Sequence, residues 1–191
     1  MAIAIVPAAG ASRRMGRPKL LLPFGDGTVV GSLVRALREG GVAEILLVTA
    51  PGDEALRAWA AEAAVRTVVN PDPERGMLSS IREGIAWAPT YQQVVICPAD
   101  LPALRASTVA AVIAAAGGHP LTVASYRGKR GHPLVVSPSL LPEIATLDPD
   151  VGLRELLDHH PVHEVEVDDP GAVRDVDTPE EYRELNGEER P

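Results

Sequence analysis

The chain has 191 residues, of which 46% are hydrophobic and 23% are charged, so it can bury a sizeable core and is not expected to be disordered. A net charge of −8 and only six aromatic residues (two Trp, three Tyr and one Phe) argue against a protein that binds nucleic acid or anionic membranes. Because Cys97 is the single cysteine, an intramolecular disulfide and a cysteine-rich zinc site are excluded.

Apolar runs rich in β-branched residues alternate with helical patterns along the whole chain. The predicted strands are residues 3–7, 44–49, 67–70, 93–98, 121–126, 132–137 and 162–167. The predicted helices are residues 29–39, 54–64, 78–88, 107–116, 152–159 and 179–186. Several strands are apolar on consecutive residues, which is typical of strands covered on both faces. The repeated β-α-β order predicts an α/β fold with a mostly parallel sheet and helices on both sides.

Three local patterns refine this prediction. The first helix has an apolar stripe at Val30, Leu33, Val34 and Leu37, and is expected to stop at the glycine pair that begins with Gly40. The last helix begins with the capping-box sequence TPEE at residues 178–181. The two strands between residues 121 and 137 are joined by a short loop, which predicts an antiparallel excursion.

Composition also bears on domain organisation and location. No apolar run approaches the ~18–20 residues of a membrane span. The apolar run at residues 2–11 has its basic residues behind it, whereas a secretory signal carries them in front, so we expect a cytoplasmic protein. No break in composition marks a second domain. We therefore expect one domain over residues 1–186 and a charged, frayed tail at residues 187–191.

The loop after the first predicted strand combines small residues with positive charge. It runs PAAGASRRMGRPK from Pro7 to Lys19, and four of the seven residues from Arg13 to Lys19 are cationic in a chain that is acidic overall. Small residues let backbone N–H groups approach an anion closely. Ligands of open α/β sheets bind beyond the carboxyl ends of strands. The loop therefore predicts a polyphosphate site, and the alternative is a solvated loop with surface arginines.

Two better-known phosphate motifs do not account for this loop. A Walker A motif needs G-x-x-x-x-G-K-[ST], but Gly10 and Gly16 are six apart, and G-x-G-x-x-G is also absent. Lys19 is one of only two lysines beside 16 arginines. An ammonium is a compact charge that can follow a phosphate as it moves, so its use at this position favours the phosphate interpretation.

Acidic residues at two later positions are candidate metal ligands. Asp100 follows the strand at residues 93–98, where a carboxylate suits Mg²⁺, which commonly takes one or two carboxylates plus phosphate oxygens. Alternatively, Asp100 forms a turn before the next helix. Asp175 and Asp177 share one side of an extended segment, so one of them is a candidate second ligand, or both only favour the dipole of the last helix.

Six blocks stand in order along the chain: PAAGASRRMGRPKLLLPFGDGTVV at 7–30, NP at 70–71, GMLSSIR at 76–82, ADLP at 99–102, GHP at 131–133 and DVDTPE at 175–180. In this order and spacing they resemble the MobA-like nucleotidyltransferases, in particular the molybdenum cofactor cytidylyltransferase branch. The resemblance spans nearly the whole chain. It implies the Rossmann-like, three-layer nucleotide-diphosphosugar transferase fold.

The resemblance also implies an activity. It is the Mg²⁺-dependent transfer of a nucleotidyl group from a nucleoside triphosphate to a phosphorylated acceptor, with release of pyrophosphate. In the best-matching branch the donor is CTP and the acceptor is molybdopterin, with a molybdoenzyme as the protein that would receive the product. The Ala-Ala-Gly sequence at residues 8–10, where guanylyl-transferring relatives usually carry Ala-Gly-Gly, favours cytosine. The alternatives are another nucleotide, a sugar-phosphate or phospholactate acceptor, and a non-catalytic cofactor-binding or chaperone module.

The resemblance assigns roles by position. The predicted nucleotide-binding residues are Ala8, Ala9, Gly10, Ala11, Ser12, Arg13, Arg14, Lys19, Asn70, Ser79 and Ser80. Arg14 and Lys19 would neutralise the β- and γ-phosphates, while Asp100 would bind Mg²⁺ with Asp177 as second ligand. Because an acceptor phosphate oxygen is already a nucleophile, no general base is assigned. His132 and the pair His159–His160 are interpreted as structural or surface residues.

Overall fold

A seven-stranded sheet runs through the protein in the computed structural model, which describes residues 1–88 and 91–187. The strands are β1 (Ala2–Pro7), β2 (Pro23–Phe24), β3 (Gly27–Thr28), β4 (Glu44–Thr49), β5 (Arg66–Val69), β6 (Gln93–Ile96), β7 (Leu121–Tyr126), β8 (Lys129–Val136) and β9 (Val162–Glu166). The large sheet has the order β5-β4-β1-β6-β8-β7-β9, and β2 and β3 form a separate hairpin. Within the large sheet β8 is antiparallel to both of its neighbours, and the other pairs are parallel. The predicted mostly parallel sheet with an antiparallel excursion is therefore confirmed.

Helices cover the sheet on both sides. They are α1 (Val29–Glu39), α2 (Glu54–Glu62), α3 (Met77–Ile85), α4 (Ala106–Ala115), α5 (Leu141–Ile144), α6 (Leu153–His159) and α7 (Pro179–Leu185). Buried side chains of α1, α2, α4 and α7 join one apolar cluster, and those of α3, α5 and α6 join the other. Among the residues described, no helix combines the length and the apolar character needed to cross a membrane.

The central strand β1 shows why the sheet needs both helical layers. Ala2, Ala4 and Val6 belong to one apolar cluster, whereas Ile3 and Ile5 belong to the other. Successive side chains of a strand point to opposite faces, so a strand that is apolar throughout has to be covered twice. The consecutive apolar residues therefore correctly indicated a strand buried on both faces.

The predicted stop of the first helix and the predicted start of the last helix are also confirmed. Thr28 caps α1 by accepting a hydrogen bond from the Gly31 N–H at 3.1 Å, and the helix ends at Gly40. Gly41 follows with a φ of +94°, a conformation that glycine adopts without strain. At α7, Thr178 and Glu181 form the predicted capping box. Residues 188–191, most of the predicted frayed tail, lie outside the described residues.

One close approach between layers yields a stability prediction. A Cβ added to Gly84 on α3 would lie 2.4 Å from Cγ2 of Ile5 on β1. We expect Gly84→Ala to lower the free energy of unfolding by about 1–2 kcal/mol, because overpacking outweighs the ~1 kcal/mol gain in helix propensity. Urea unfolding measures the change. Gly117→Ala is the matched control, since a Cβ at Gly117 meets nothing within 4 Å. A Gly84→Ala protein as stable as wild type would contradict this packing.

Candidate active site

An open cleft of about 810 Å³ lies at the carboxyl end of β1. β1 pairs in parallel with β4 on one side and with β6 on the other. The strand order reverses here, because the chain goes on from β1 to β4 on one side, whereas it goes on from β6 to β7 on the other side. Such a switch point is where open α/β sheets bind ligands. Loops that follow these three strands line the cleft, as the sequence predicted for the loops after β1 and β6.

The loop after β1 is held against the sheet at both of its ends. At its start, the Ala8 N–H donates to the Val48 carbonyl oxygen at 2.8 Å. Further on, Met15 and Leu20 are buried in the apolar core, and the Leu20 carbonyl accepts a hydrogen bond from Val30 at 3.0 Å. Lys19 therefore extends from a backbone position that the core determines.

Most predicted residues of this loop line the cleft. They are Ala8, Ala9, Gly10, Ala11, Ser12, Arg14 and Lys19. The cationic residues of the loop have different surroundings. The guanidinium of Arg17 lies 5.9 Å from the ring centroid of Tyr182, whereas Arg14 and Lys19 line the cleft. The side chain of Arg13 lies outside the described part of the structure.

The side chain of Lys19 lies between two carboxylates. Its Nζ donates to Oδ2 of Asp100 at 2.6 Å and to Oδ1 of Asp177 at 2.7 Å. Arg14 pairs with the other carboxylate oxygen of Asp177. The Lys19 side chain is 10% exposed and both acids are 20% exposed, whereas Arg14 is 72% exposed. The structure thus brings together the four charged residues that the sequence assigned to phosphates and metal.

A backbone hydrogen bond explains how two acids so distant in sequence become neighbours. Ala99, just after β6, donates to the Pro7 carbonyl at 3.1 Å, which continues the pairing of β6 with β1. The Val176 N–H donates to the Asp100 carbonyl oxygen at 2.9 Å and attaches the C-terminal segment to the same loop. Asp177, the next residue, consequently reaches the mouth of the cleft.

Proximity of these charges shifts their protonation equilibria. Burial alone would lower the pKa of Lys19, but the charges and hydrogen bonds of Asp100 and Asp177 more than offset it and raise the pKa. Burial would raise the pKa of Asp177, yet Lys19 and then Arg14 hold it below its ordinary value of 3.8. At neutral pH, Lys19 is therefore charged and Asp177 is ionised.

The acidic residues also fit a divalent cation. Asp100, Asp175 and Asp177 each offer a carboxylate oxygen, and the three oxygens lie within 4.8 Å of one another. Partial burial, and the negative charges of Asp177 and Asp100, raise the pKa of Asp175, so added positive charge would be favourable there. Carboxylate oxygens are hard donors that suit Mg²⁺ and Mn²⁺. Both candidate second ligands, Asp175 and Asp177, lie close to Asp100.

The predicted polar residues on the far wall differ in position. Ser80 lines the cleft, whereas Asn70 is buried and donates to Ser79 Oγ at 2.7 Å and to Ser80 Oγ at 3.0 Å. The Ser79 hydroxyl is also within 2.7 Å of the Gly76 carbonyl, to which it donates. Of these three residues, only Ser80 borders the cleft, and Asn70 holds the start of α3 in place.

Part of the wall was not anticipated from the sequence. The missed residues are Ala50, Gly52, Asp53, Ala55 and Leu56 after β4, and Pro73, Glu74, Gly76 and Met77 before and within α3. The rule that ligands bind beyond the carboxyl ends of strands applies to β4 as well as to β1 and β6. The segment after β4 could have been found by that rule, but it has no charged cluster to mark it.

The histidines interpreted as structural or surface residues have different surroundings, and His132 is close enough to Asp100 to interact with its charge. Burial lowers the pKa of His132, so it is neutral at pH 7. His160 contacts Glu143 at 2.8 Å on the side of α5. None of His132, His159 and His160 is among the described residues that line the cleft, in agreement with that interpretation.

Comparison with known proteins places this fold and site in a family. Residues 4–165 match the MobA-like NTP transferase domain, and the chain belongs to that family. It is accordingly a nucleotidyltransferase that uses a nucleoside triphosphate. The resemblance found in the sequence blocks is confirmed at the level of the family.

Relatives along nearly the whole chain carry different names. Nicotine blue oxidoreductase of Paenarthrobacter nicotinovorans is 33% identical, over 95% of this chain and 94% of its own length. Molybdenum cofactor cytidylyltransferase of Escherichia coli K12 is 24% identical, over 93% of this chain and 92% of its own length.

Solved structures include Rv0371c of Mycobacterium tuberculosis H37Rv. It is 33% identical with a TM-score of 0.88, and 98% of each chain is covered. A second structure of Rv0371c, described as a complex with manganese, has a TM-score of 0.82 at 31% identity and covers 97% of this chain and 98% of that one.

We expect Lys19→Met to destabilise the protein, because it leaves Asp100 and Asp177 side by side without the ammonium between them. The expected loss is about 1–3 kcal/mol at neutral pH, less than for a fully buried pair. Since the pKa of Asp177 is below 3.8 in the folded protein, its contribution is present above that pH and disappears as the pH falls through the lowered value. The difference in free energy of unfolding between the variant and wild type should therefore become smaller as the pH falls through that value.

Thermal melts from pH 7 down to below pH 3 measure this effect, with Lys129→Met as the matched control at the exposed second lysine. Mn²⁺ should raise the melting temperature of Lys19→Met more than that of wild type, because it replaces the missing positive charge. Equal losses in the two lysine variants would show that the Lys19 contacts contribute nothing.

Proposed function

We propose that this protein transfers CMP from CTP to the phosphate of molybdopterin, with Mg²⁺ as cofactor and pyrophosphate as the second product. The observation that carries the proposal is the convergence of Arg14, Lys19, Asp100 and Asp177 at the edge of one cleft. Two cations and a carboxylate cluster at a switch point suit a triphosphate with its divalent cation. The E. coli relative named as a cytidylyltransferase supports the choice of CTP and acceptor.

The chemistry needs positioning and charge neutralisation more than covalent help. An oxygen of the acceptor phosphate attacks the α-phosphorus of the nucleotide, the bond from that phosphorus to the bridging oxygen of the β-phosphate breaks, and pyrophosphate leaves. Arg14 and Lys19 would neutralise charge that develops on the leaving pyrophosphate. A divalent cation, when bound, polarises the α-phosphate. Asp100 and Asp177 would hold that cation.

Lys19 would then serve two partners in turn. Without ligands its ammonium is bound by Asp100 and Asp177 at 2.6 and 2.7 Å. A divalent cation on the carboxylates supplies the positive charge that Lys19 otherwise provides, which leaves the ammonium available to a phosphate. Residues 8–12 line the same cleft, and the backbone amides of residues 9–12 would face the rest of the nucleotide.

A second candidate is a redox enzyme. The relative named nicotine blue oxidoreductase, 33% identical over 95% of the chain, favours it. A dinucleotide carries a pyrophosphate that Arg14 and Lys19 could bind equally well. This candidate predicts oxidation of NADH or NADPH by an electron-accepting dye, without release of pyrophosphate.

The test is a nucleotide and acceptor panel with purified protein. Pyrophosphate release is measured with CTP, GTP, ATP and UTP, each with Mg²⁺ or Mn²⁺, and with molybdopterin, a sugar phosphate or phospholactate. We expect release with CTP and molybdopterin. Release with GTP and not CTP would overturn the nucleotide assignment, and release only with another acceptor would overturn molybdopterin. Binding without release, or dye-linked oxidation of NADH without release of pyrophosphate, would overturn the proposed transfer of CMP.

Asp100→Asn provides a test at a single residue. The change is nearly isosteric and removes the negative charge that we assign to the cation. We expect kcat for pyrophosphate release to fall about 10²–10³-fold, as for loss of one preorganised group in an active site. Asp26→Asn, at an exposed acid that pairs with Arg35, is the control and should keep wild-type turnover. Unchanged turnover in Asp100→Asn would remove Asp100 from the mechanism.

A further inference from the structure

The side chain of Glu181, in the first turn of α7, binds two backbone amides rather than one. Its Oε2 accepts from the Thr178 N–H at 2.8 Å, which is the ordinary bond of a capping box. The same oxygen accepts from the Asp177 N–H at 2.9 Å. That second bond extends beyond the helix cap and reaches the residue whose carboxylate lies in the cleft.

These bonds restrain Asp177 from both sides along the chain. Upstream, the Val176 N–H is bound to the Asp100 carbonyl oxygen at 2.9 Å. Downstream, Glu181 holds the N–H of Asp177 itself. The peptide between Val176 and Asp177 is therefore fixed relative to the loop that carries Asp100, and the direction of the Asp177 side chain follows from it. Glu181 is not among the described residues that line the cleft, so it acts through Asp177 and, by its negative charge, on Asp175, whose pKa it helps to raise.

We propose that Glu181 is a positioning residue that sets the cation affinity of the site by orienting Asp177. The inference rests on the proposed function only in taking Asp177 as a ligand of the divalent cation. Outer partners of metal ligands are known to tune affinity in this way, and their loss typically costs 10–100-fold in metal binding. Glu181 differs from the usual case because it holds the backbone of the ligand residue rather than its side chain.

The simpler interpretation is that Glu181 only starts helix α7. Thr178→Ala separates the two interpretations, because it removes the other half of the capping box. The Thr178 Oγ1 accepts from the Glu181 N–H at 3.2 Å, and this bond is lost in the variant. The backbone N–H groups of Asp177 and Thr178, and the carboxylate of Glu181, all remain. Thr178→Ala is therefore the matched control.

The experiment measures Mn²⁺ affinity of the full chain by electron paramagnetic resonance, without nucleotide, together with the melting temperature. We expect Glu181→Ala to weaken Mn²⁺ binding 10–100-fold. Glu181→Asp, whose shorter side chain keeps the charge but cannot span the same distance, should weaken it in the same direction. Glu181→Gln keeps an accepting oxygen and should bind within about threefold of wild type. Thr178→Ala should lower the melting temperature while its Mn²⁺ affinity stays within about threefold.

The possible results separate this inference from the proposed function. If wild type binds Mn²⁺ and Glu181→Ala binds it equally well, the positioning role is wrong and the proposed function is untouched. Equal weakening in Thr178→Ala and Glu181→Ala would also overturn it, since helix capping would then be sufficient. If Glu181→Ala does not fold, the other two Glu181 variants decide. Weaker Mn²⁺ binding in Glu181→Asp than in Glu181→Gln supports the positioning role, and equal binding overturns it. Absence of Mn²⁺ binding in wild type would overturn this inference, whereas the proposed function is decided by the pyrophosphate-release panel.

Discussion

The ammonium of Lys19, bound at 2.6 and 2.7 Å to Asp100 and Asp177, joins three segments that are far apart in the chain. A largely buried ammonium is costly unless it is paired and hydrogen-bonded, and here two carboxylates supply both. The same contact brings the acids together, because two carboxylates side by side repel unless a cation lies between them. The arrangement of the cleft edge therefore depends on one positive charge being present at that point, supplied by Lys19 or by a bound cation.

The order of the strands in the sheet brings the segments that carry Lys19 and Asp100 close together. β1 lies in the middle of the parallel part of the sheet, so the loop after it borders those after β4 and β6. The C-terminal segment is not a strand of the large sheet, and it reaches the cleft through the Val176 N–H and the Asp100 carbonyl. From there the capping box of α7 continues the chain. Asp177 is therefore positioned in the site by the backbone hydrogen bond of Val176 before it and by the start of helix α7 after it.

Much of the fold could be predicted from the sequence because its elements carry local periodicity. β1 is apolar at every residue because both of its faces are buried, and α1 is apolar along the stripe that packs in the core. The hairpin of β2 and β3 was not predicted because two-residue strands show no periodicity, and α5, with four residues, is also too short to show one. Strand order depends on pairing between distant segments, so the wall after β4 was missed even though β4 itself was predicted.

The candidate site, like the fold, could be predicted only in part. The cationic loop in an acidic chain marked Arg14 and Lys19, and position marked Asp100 after a strand and Asp177 before the last helix. The family resemblance then assigned their roles. Asn70, Ser79 and Ser80 were all predicted to bind the nucleotide, but their side chains have different structural roles. Asn70 bonds to both serines and is buried, and it is Ser80 that borders the cleft. A residue type does not reveal whether it contacts a ligand or holds the residue that does.

Charge also limits what this half of the cleft can select. Every nucleoside triphosphate presents the same phosphates and the same bound cation, so Arg14, Lys19 and the carboxylates cannot by themselves distinguish CTP from GTP. Two relatives that match nearly the whole chain carry the names of different activities, an oxidoreductase at 33% identity and a cytidylyltransferase at 24% identity. Discrimination has to come from groups that meet the base and the acceptor. Among the described residues that line the cleft, the candidates for such groups are residues 8–10, the wall from Ala50 to Leu56 and the start of α3.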